Sequence, residues 1–434
     1  MSASAPALAG FDPGPEIRRS VRGHGRHAPR LRAAALALER FAGDERPRAR
    51  ALAVRLARLR DALWRSPHYA EALARRGLSP SDLRSLDDLR HFPCLDRETL
   101  GRSFETLPAL RARAAGRLFV ERSSGSTGRA VVVLKEDYDS VHMWALLRFW
   151  MRRLRLRLPA RPRVALLCAL PHGVEYETPL PAIGGTLVRV SLARPAAAER
   201  LRRFAPHVVF TDPAGLHWLA DRADAPRLRL VLSSAMHLSP ALRRRAEGAL
   251  GAPVLNYYST AETGPVAWEC READGRFHVL APDVWVESID GLLAVTRLRA
   301  SVLPLLRYRP GDRGEVDHGP CACGFRGPSI VGLSGRRACA FVTPDGRAVD
   351  AWQLAWAFQH HPLDAFRLVQ RSANSFRLDL AAGEEAAAPV VERLRGSLAR
   401  LGWDAPRIAC RIVPRDSLRA AAKPAPFASF RGEP

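Results

Sequence analysis

Between residues 163 and 260, short Val- and Leu-rich runs alternate with segments of helical pattern, and this alternation constrains the fold more than any other feature. RVALLCAL reads as a buried strand, and TLVRVSL, HVVFTD, LRLVLSSA and PVLNYYS read as further strands of the same rhythm. Helices are expected after HVVFTD and over about 239–250, while PHGVEYETPLPAIGG reads as a loop. Strands that alternate with helices pair mostly in parallel, because each helix crosses back over the sheet. Upstream, residues 1–30 are rich in Pro, Gly and Arg and read as a loose arm, and 31–90 are helical with a break at Ser66-Pro67. LFVERSSGSTGRAVVVL places strands at Leu118–Val120 and Ala130–Leu134, and a helix over about 136–155 follows. Residues 276–334 are β-rich; beyond them come a hairpin (VTPDGRAV), a helix at 350–360, a second hairpin (FRLVQRSANSFRLDL), a helix at 386–401 and a strand, IACRIV. The expected class is α/β: a large N-terminal domain over 1–335 with parallel-rich sheets, and a small C-terminal α+β cap domain over 336–434.

Composition narrows the class. With 47% apolar and 26% charged residues in 434, the chain can bury the cores of two or three globular units. No apolar run approaches the ~18 residues of a membrane span. The first twenty residues lack a basic stretch followed by an apolar core, so the expectation is a cytoplasmic protein without a secretory signal. The net charge of +23 raises nucleic acid as a partner. However, the first 160 residues hold 31 of the 67 basic residues against 17 acidic ones, dispersed among apolar residues as on the wet faces of amphipathic helices. Nucleic acid is therefore disfavoured, and an acidic protein partner stays open. Seven cysteines in a chain of this length do not suggest a disulfide framework. Cys94, Cys168, Cys339 and Cys410 have apolar neighbours and are expected to be buried and inert. Cys270, His278, Cys321 and Cys323 flank the β-rich segment and form a candidate structural zinc set, or else reduced thiols in a turn.

The loop Ser123-Ser124-Gly125-Ser126-Thr127-Gly128-Arg129 lies between two expected strands. Its hydroxyls and backbone N–H groups suit phosphate oxygens, and its glycines allow close approach. The GKS/T ending of a Walker loop is missing, and a Ser/Gly loop by itself is also a plain turn. Further along come Tyr258-Ser259-Thr260-Ala261-Glu262, then Arg307-Tyr308-Arg309-Pro310-Gly311-Asp312, then Gly335-Arg336. In this order and at these separations, the motifs resemble the adenylate-forming superfamily of acyl-CoA synthetases. DLRHFPCLDRETL, AETGPVAWEC, TRLRASVLPLLRYRPGD and CACGFRG leading into SGRR point to the phenylacetate–CoA ligase-like branch.

The resemblance implies an acid–thiol ligase that joins a carboxylic acid, an aromatic one by family likeness, to ATP as an acyl-adenylate and releases pyrophosphate. The acyl group would then pass to coenzyme A or to carrier-protein phosphopantetheine. Ser123–Arg129, with Thr127 among the catalytic residues, would hold the ATP phosphates. Ser234 and Ala235 would lie against adenine and Tyr258 would stack on it. Glu262 would hold Mg²⁺, a hard cation suited to carboxylate and phosphate oxygens. Asp312 would accept the ribose hydroxyls, and Arg336 would sit at the hinge. His172 and Tyr257 would line the acyl pocket. Lys423, one of only two lysines, would serve adenylation as a compact point charge. The chain departs from the family at Ala261, which lacks the usual hydroxyl, at Arg129 in place of lysine, and at Ala338-Cys339 in place of an acidic hinge pair. The alternative expectation is a catalytically impaired adenylating fold acting as an Arg-rich binding or scaffold module.

Overall fold

The computed structural model describes residues 45–96, 99–100, 118–122, 132–168, 175–299, 304–334, 340–350, 365–381, 384–414 and 427–429, apart from 182, 193, 223, 236, 237, 239, 274 and 282, together with a few isolated positions. Two compact units result, one carrying the elements up to residue 334 and the other those from residue 340 onward.

In the larger unit, α1 (Glu45–Trp64) is followed by α2 (Pro67–Ala74), with Pro67 at the first helical turn, where no N–H is required. A ribbon of β1 (Leu118–Arg122) and β2 (Val132–Glu136) precedes α3 (Asp137–Arg153). Next come β3 (Arg163–Cys168), β4 (Tyr176–Leu180), β5 (Gly185–Ser191), α4 (Ala197–Phe204), β6 (Val208–Thr211), α5 (Pro213–Ala220), β7 (Leu230–Ser233), α6 (Pro240–Leu250) and β8 (Val254–Thr260). The chain continues through β9 (Gly264–Glu269), β10 (Phe277–Val279), β11 (Val284–Ile289), β12 (Leu292–Arg297), β13 (Arg313–Asp317) and β14 (Ser329–Ser334). Twelve of these strands form one sheet in the order β11–β12–β13–β14–β10–β9–β8–β7–β6–β3–β5–β4.

From β5 through β3, β6 and β7 to β8 the pairing is parallel, as the strand–helix rhythm predicts. Successive side chains in this run enter opposite cores. Val164, Val208, Phe210, Leu230 and Leu232 pack with Trp144, Leu147 and Met151 of α3. Ala165, Val209 and Val231 pack with Leu201 of α4, Leu216 of α5 and Ala246 of α6. Both faces are buried, which explains why these strands are apolar throughout rather than alternating. Beyond β8 every pairing in the sheet is antiparallel.

The smaller unit has a hairpin of β15 (Ala340–Val342) and β16 (Ala348–Asp350), then β17 (Ala365–Ser372), β18 (Ser375–Ala381), α7 (Ala387–Arg400), β19 (Arg407–Ile412) and β20 (Phe427–Ala428). Its four-stranded sheet runs β19–β18–β17–β20, and Leu368, Phe376, Leu378 and Leu380 pack on Val390, Leu394 and Leu398 of α7. Only isolated positions of 350–360 are described, so the helix expected there is outside this description.

Two expectations are corrected. Residues 176–180, read as loop, form β4, an edge strand antiparallel to β5. Tyr176, Thr178 and Leu180 face inward, and Pro179 is tolerated because an edge strand has one side without a ladder. Cys94, Cys168 and Cys410 are half-buried rather than buried; Cys339 lies outside the described residues. Among the described residues no helix is long and apolar enough to cross a membrane.

Candidate functional site

In open α/β sheets, ligands bind beyond the carboxyl ends of the strands, where the winding changes direction. The order of the parallel strands reverses beside β3, with β5 on one side and β6 on the other, and β8 ends the parallel run, with β7 parallel to it and β9 antiparallel. Thr211 and Ser233, register partners at the carboxyl ends of β6 and β7, both have buried side-chain hydroxyls without a hydrogen-bond partner among the described residues. The sequence reading missed both, since a hydroxyl closing an apolar strand is a common turn signal. Just beyond, Ser234 N–H donates to Thr211 O at 3.2 Å, and Ala235 adopts a left-handed backbone with φ +75°. A side chain costs roughly 1–2 kcal/mol there, least when it is small, which accounts for alanine in the turn expected to face adenine.

β8 delivers two adjacent tyrosines to different surroundings. Tyr257 is buried and packs on Trp150 with ring centroids 5.3 Å apart, inside the main core. Tyr258 reaches Asp312 instead, its hydroxyl donating to Oδ2 at 2.7 Å. These residues are 54 positions apart, so the fold joins the candidate adenine and ribose contacts. Asp312 is placed by a short run paired to β12: Tyr308 exchanges hydrogen bonds with Val295, and Leu293 N–H donates to Asp312 O at 2.9 Å. Arg307, at φ +46°, donates to the carbonyls of Arg90 and Phe92, tying this run to the segment before Leu95.

The turn between β8 and β9 carries Glu262. Thr260 Oγ1 accepts from Thr263 N–H at 3.0 Å and lies 2.9 Å from Thr263 Oγ1, closing the turn over a buried Glu262. Gly264 then takes φ +73°, a conformation that favours glycine. A buried carboxylate on a rigid turn suits a hard divalent cation that retains water and phosphate ligands.

A second constellation lies on the antiparallel half of the sheet. Cys270 follows β9, His278 sits on β10, and Cys321 and Cys323 occupy the turn before β14, which closes with Cys321 N–H donating to Phe325 O. The four ligand atoms all lie within 4.8 Å of one another. Cys270 Sγ is 3.7 Å from Cys321 Sγ, and Cys323 Sγ is 3.3 Å from His278 Nε2. Edges of roughly 3.5–3.8 Å follow from tetrahedral zinc with its usual bond lengths, so donor set and spacing both fit that ion. His278 turns Nε2 toward the sulfurs, with Nδ1 3.1 Å from Ser329 Oγ, the outer hydrogen bond typical of a ligating imidazole. Burial, together with the charges of Arg153 and Arg276, pulls His278 down to about 4 and keeps the ring neutral. Burial pushes the Cys270 thiol up to about 12. Ser329 gave no signal in the sequence.

Ser123–Arg129 including Thr127, His172, Arg336 and Lys423 lie outside the described residues, as do the hinge positions Ala338 and Cys339. The described site therefore consists of Ser234, Ala235, Tyr257, Tyr258, Glu262 and Asp312.

Residues 117–296 match the family described as AMP-binding enzyme. The chain is 27% identical over 293 residues to the phenylacetate-coenzyme A ligase of Escherichia coli, covering 58% of this chain and 63% of that protein. It is 28% identical over 288 residues to the phenylacetate-coenzyme A ligase of Thermus thermophilus, covering 60% and 63%. The chain thus spans less than two thirds of the length of these curated relatives. Among solved structures, 2-hydroxyisobutyryl-CoA ligase in the postadenylation state superposes with a TM-score of 0.52 at 17% identity, covering 90% of this chain and 92% of that one. The chain is therefore similar to AMP-binding enzymes over residues 117–296 and to phenylacetate-coenzyme A ligases over more than half of its length, and it shares its fold with 2-hydroxyisobutyryl-CoA ligase.

Proposed function

We propose that the chain is an acid–thiol ligase that condenses a carboxylic acid with ATP to an acyl-adenylate, releases pyrophosphate and passes the acyl group to coenzyme A. The observation that carries this reading is the Tyr258–Asp312 hydrogen bond beside the buried Glu262 turn, at the direction-changing edge of the parallel strands. Stacking on Tyr258 would orient adenine, and Asp312, its carboxylate already oriented by the tyrosine hydroxyl, would accept from the ribose hydroxyls. Glu262 would hold Mg²⁺, which when bound neutralises phosphate charge. The substrate carboxylate attacks the α-phosphorus in line, a P–O bond forms, and the bond to pyrophosphate breaks. Ser123–Arg129 with Thr127, Arg336 and Lys423 would stabilise the charge that develops. His172 and Tyr257 would border the acyl group, and an aromatic acid is favoured by likeness to the phenylacetate ligases. Division at residues 335/336 into an adenylating domain and a cap, and a cytoplasmic location, belong to the same reading. Cys270, His278, Cys321 and Cys323 would hold a structural zinc with four protein ligands.

A pyrophosphate-release screen over aromatic and aliphatic acids, with coenzyme A or a carrier protein as acceptor, tests the reading. Acid-dependent release followed by thioester formation supports it. No release with any acid, together with no calorimetric ATP binding, overturns it in favour of a scaffold role.

A further inference from the structure

The turn that carries Glu262 is gripped from behind by an arginine. Arg299 Nη2 donates to the backbone carbonyl of Thr263 at 2.9 Å, and both residues are buried. The guanidinium fills the space beside Gly264 so closely that a Cβ there would sit 3.1 Å from Nη2. A buried guanidinium needs an anion, because an isolated charge in the interior is costly.

The arginine is tied through its backbone to a buried acid, Asp283, which lies immediately before β11 and is 3% exposed. Its backbone carbonyl accepts from Leu298 N–H at 2.8 Å and Arg299 N–H at 3.3 Å, fixing the arginine's backbone beyond β12. Its carboxylate is shared by Arg55 of α1 and by His142 Nε2 of α3, and it also feels the charge of Arg299. Two helices and two strand ends thus converge on one acid, and the assembly ends on a single carbonyl of the Glu262 turn.

We propose that Arg299, anchored by the Asp283–Arg55–His142 cluster, is a positioning residue that fixes the Thr260–Gly264 turn and so sets where the Glu262 carboxylate meets the metal–nucleotide substrate. This rests on the reading of Glu262 given above. Arg299 acts through the Thr263 backbone, so it governs placement rather than chemistry. A displacement of about 1 Å at such a point is enough for losses of ~10²-fold in rate.

The test uses the full chain with Arg299→Met, which removes the donor, and Arg299→Lys, which keeps the charge and one donor. Amide hydrogen exchange at residues 261–264 should rise about 10-fold in Arg299→Met while exchange in β6 and β7 stays unchanged. The Mg²⁺ concentration for half-maximal pyrophosphate release should rise about 10-fold, with Arg299→Lys intermediate in both measurements. Unchanged exchange at 261–264, or an unchanged Mg²⁺ requirement with activity falling only in step with the folded fraction, overturns the proposal. If Arg299→Met does not fold, Arg299→Lys is judged by the same two criteria. Should the unmodified protein release no pyrophosphate with any acid, the ligase reading fails, while the exchange measurement still decides whether Arg299 holds the turn.

Discussion

Replacing Tyr258 by phenylalanine keeps the aromatic face and deletes only the hydroxyl that reaches Asp312. The deleted bond is 2.7 Å long and ends on a carboxylate. Hydrogen bonds to charged groups contribute about 1.5–3 kcal/mol, and since both residues are only half-buried the lower end applies, about 1.5 kcal/mol. That converts to roughly a 10-fold loss in kcat/KM for ATP, because the Asp312 carboxylate is then less well oriented toward the ribose. Asp312→Asn removes the charge and one of the two acceptor oxygens and should cost more, about 10²-fold. The informative quantity is the coupling: once Asp312→Asn has removed the charged partner, deleting the tyrosine hydroxyl costs little more, so in the double variant the two losses should fall short of additive by about 1 kcal/mol. Pyrophosphate release at varied ATP, with a saturating acid, measures all four proteins. Strictly additive losses would mean that the hydroxyl and the carboxylate serve the nucleotide independently, and their pairing would then carry no functional weight.

Elemental analysis of protein purified without added metal should find one zinc per chain, lost when Cys321→Ser and Cys323→Ser are combined. Lys423→Ala should slow acyl-adenylate formation ~10²–10³-fold while sparing thioester formation from supplied acyl-adenylate; equal losses in both steps would contradict the assignment. Asp283→Asn leaves Arg55 without its carboxylate partner and should destabilise the larger unit by about 3–5 kcal/mol in denaturant titrations. Burial opposes ionisation of Asp283, but Arg55, His142 and Arg299 outweigh it and hold the carboxyl far below its ordinary value. Its stabilising contribution is therefore full above the unfolded pKa of about 4 and is lost as pH falls below that, so the acid limb of Tm against pH should flatten in Asp283→Asn. A parallel acid limb in both proteins would contradict the network.

What could be read from the sequence depended on how local each feature is. The parallel run was legible because strands buried on both faces must be apolar throughout, as β6 and β7 are. β4 was not, because Pro179 looks like loop until the strand is known to lie at an edge. The spacing of Cys321 and Cys323 was visible, but their meeting with Cys270 and His278 depends on β9 and β10 running antiparallel beside the turn. Tyr258 and Asp312 were singled out by resemblance, and no pattern announced that one would donate to the other. The Asp283 cluster was invisible for a physical reason. Arg55, His142 and Arg299 come from separate segments and look like ordinary polar positions on amphipathic elements, and only tertiary packing brings Arg55 and His142 onto the Asp283 carboxylate and Arg299 onto its backbone carbonyl.

β8 also bears on how such a chain can diverge. Tyr257 and Tyr258 point to opposite sides of the strand, one into the core against Trp150 and the other to Asp312. Losing or gaining a single residue between Val254 and Tyr257 would exchange the two, turning Tyr258 toward the core and Tyr257 toward Asp312. β7 and β9 hold this strand on both sides, so the slip has no free edge along which to relax. Substitutions within β8 can thus accumulate gradually, whereas changes of length there are all-or-nothing, and lineages carrying this sheet should vary in length in the connections around it.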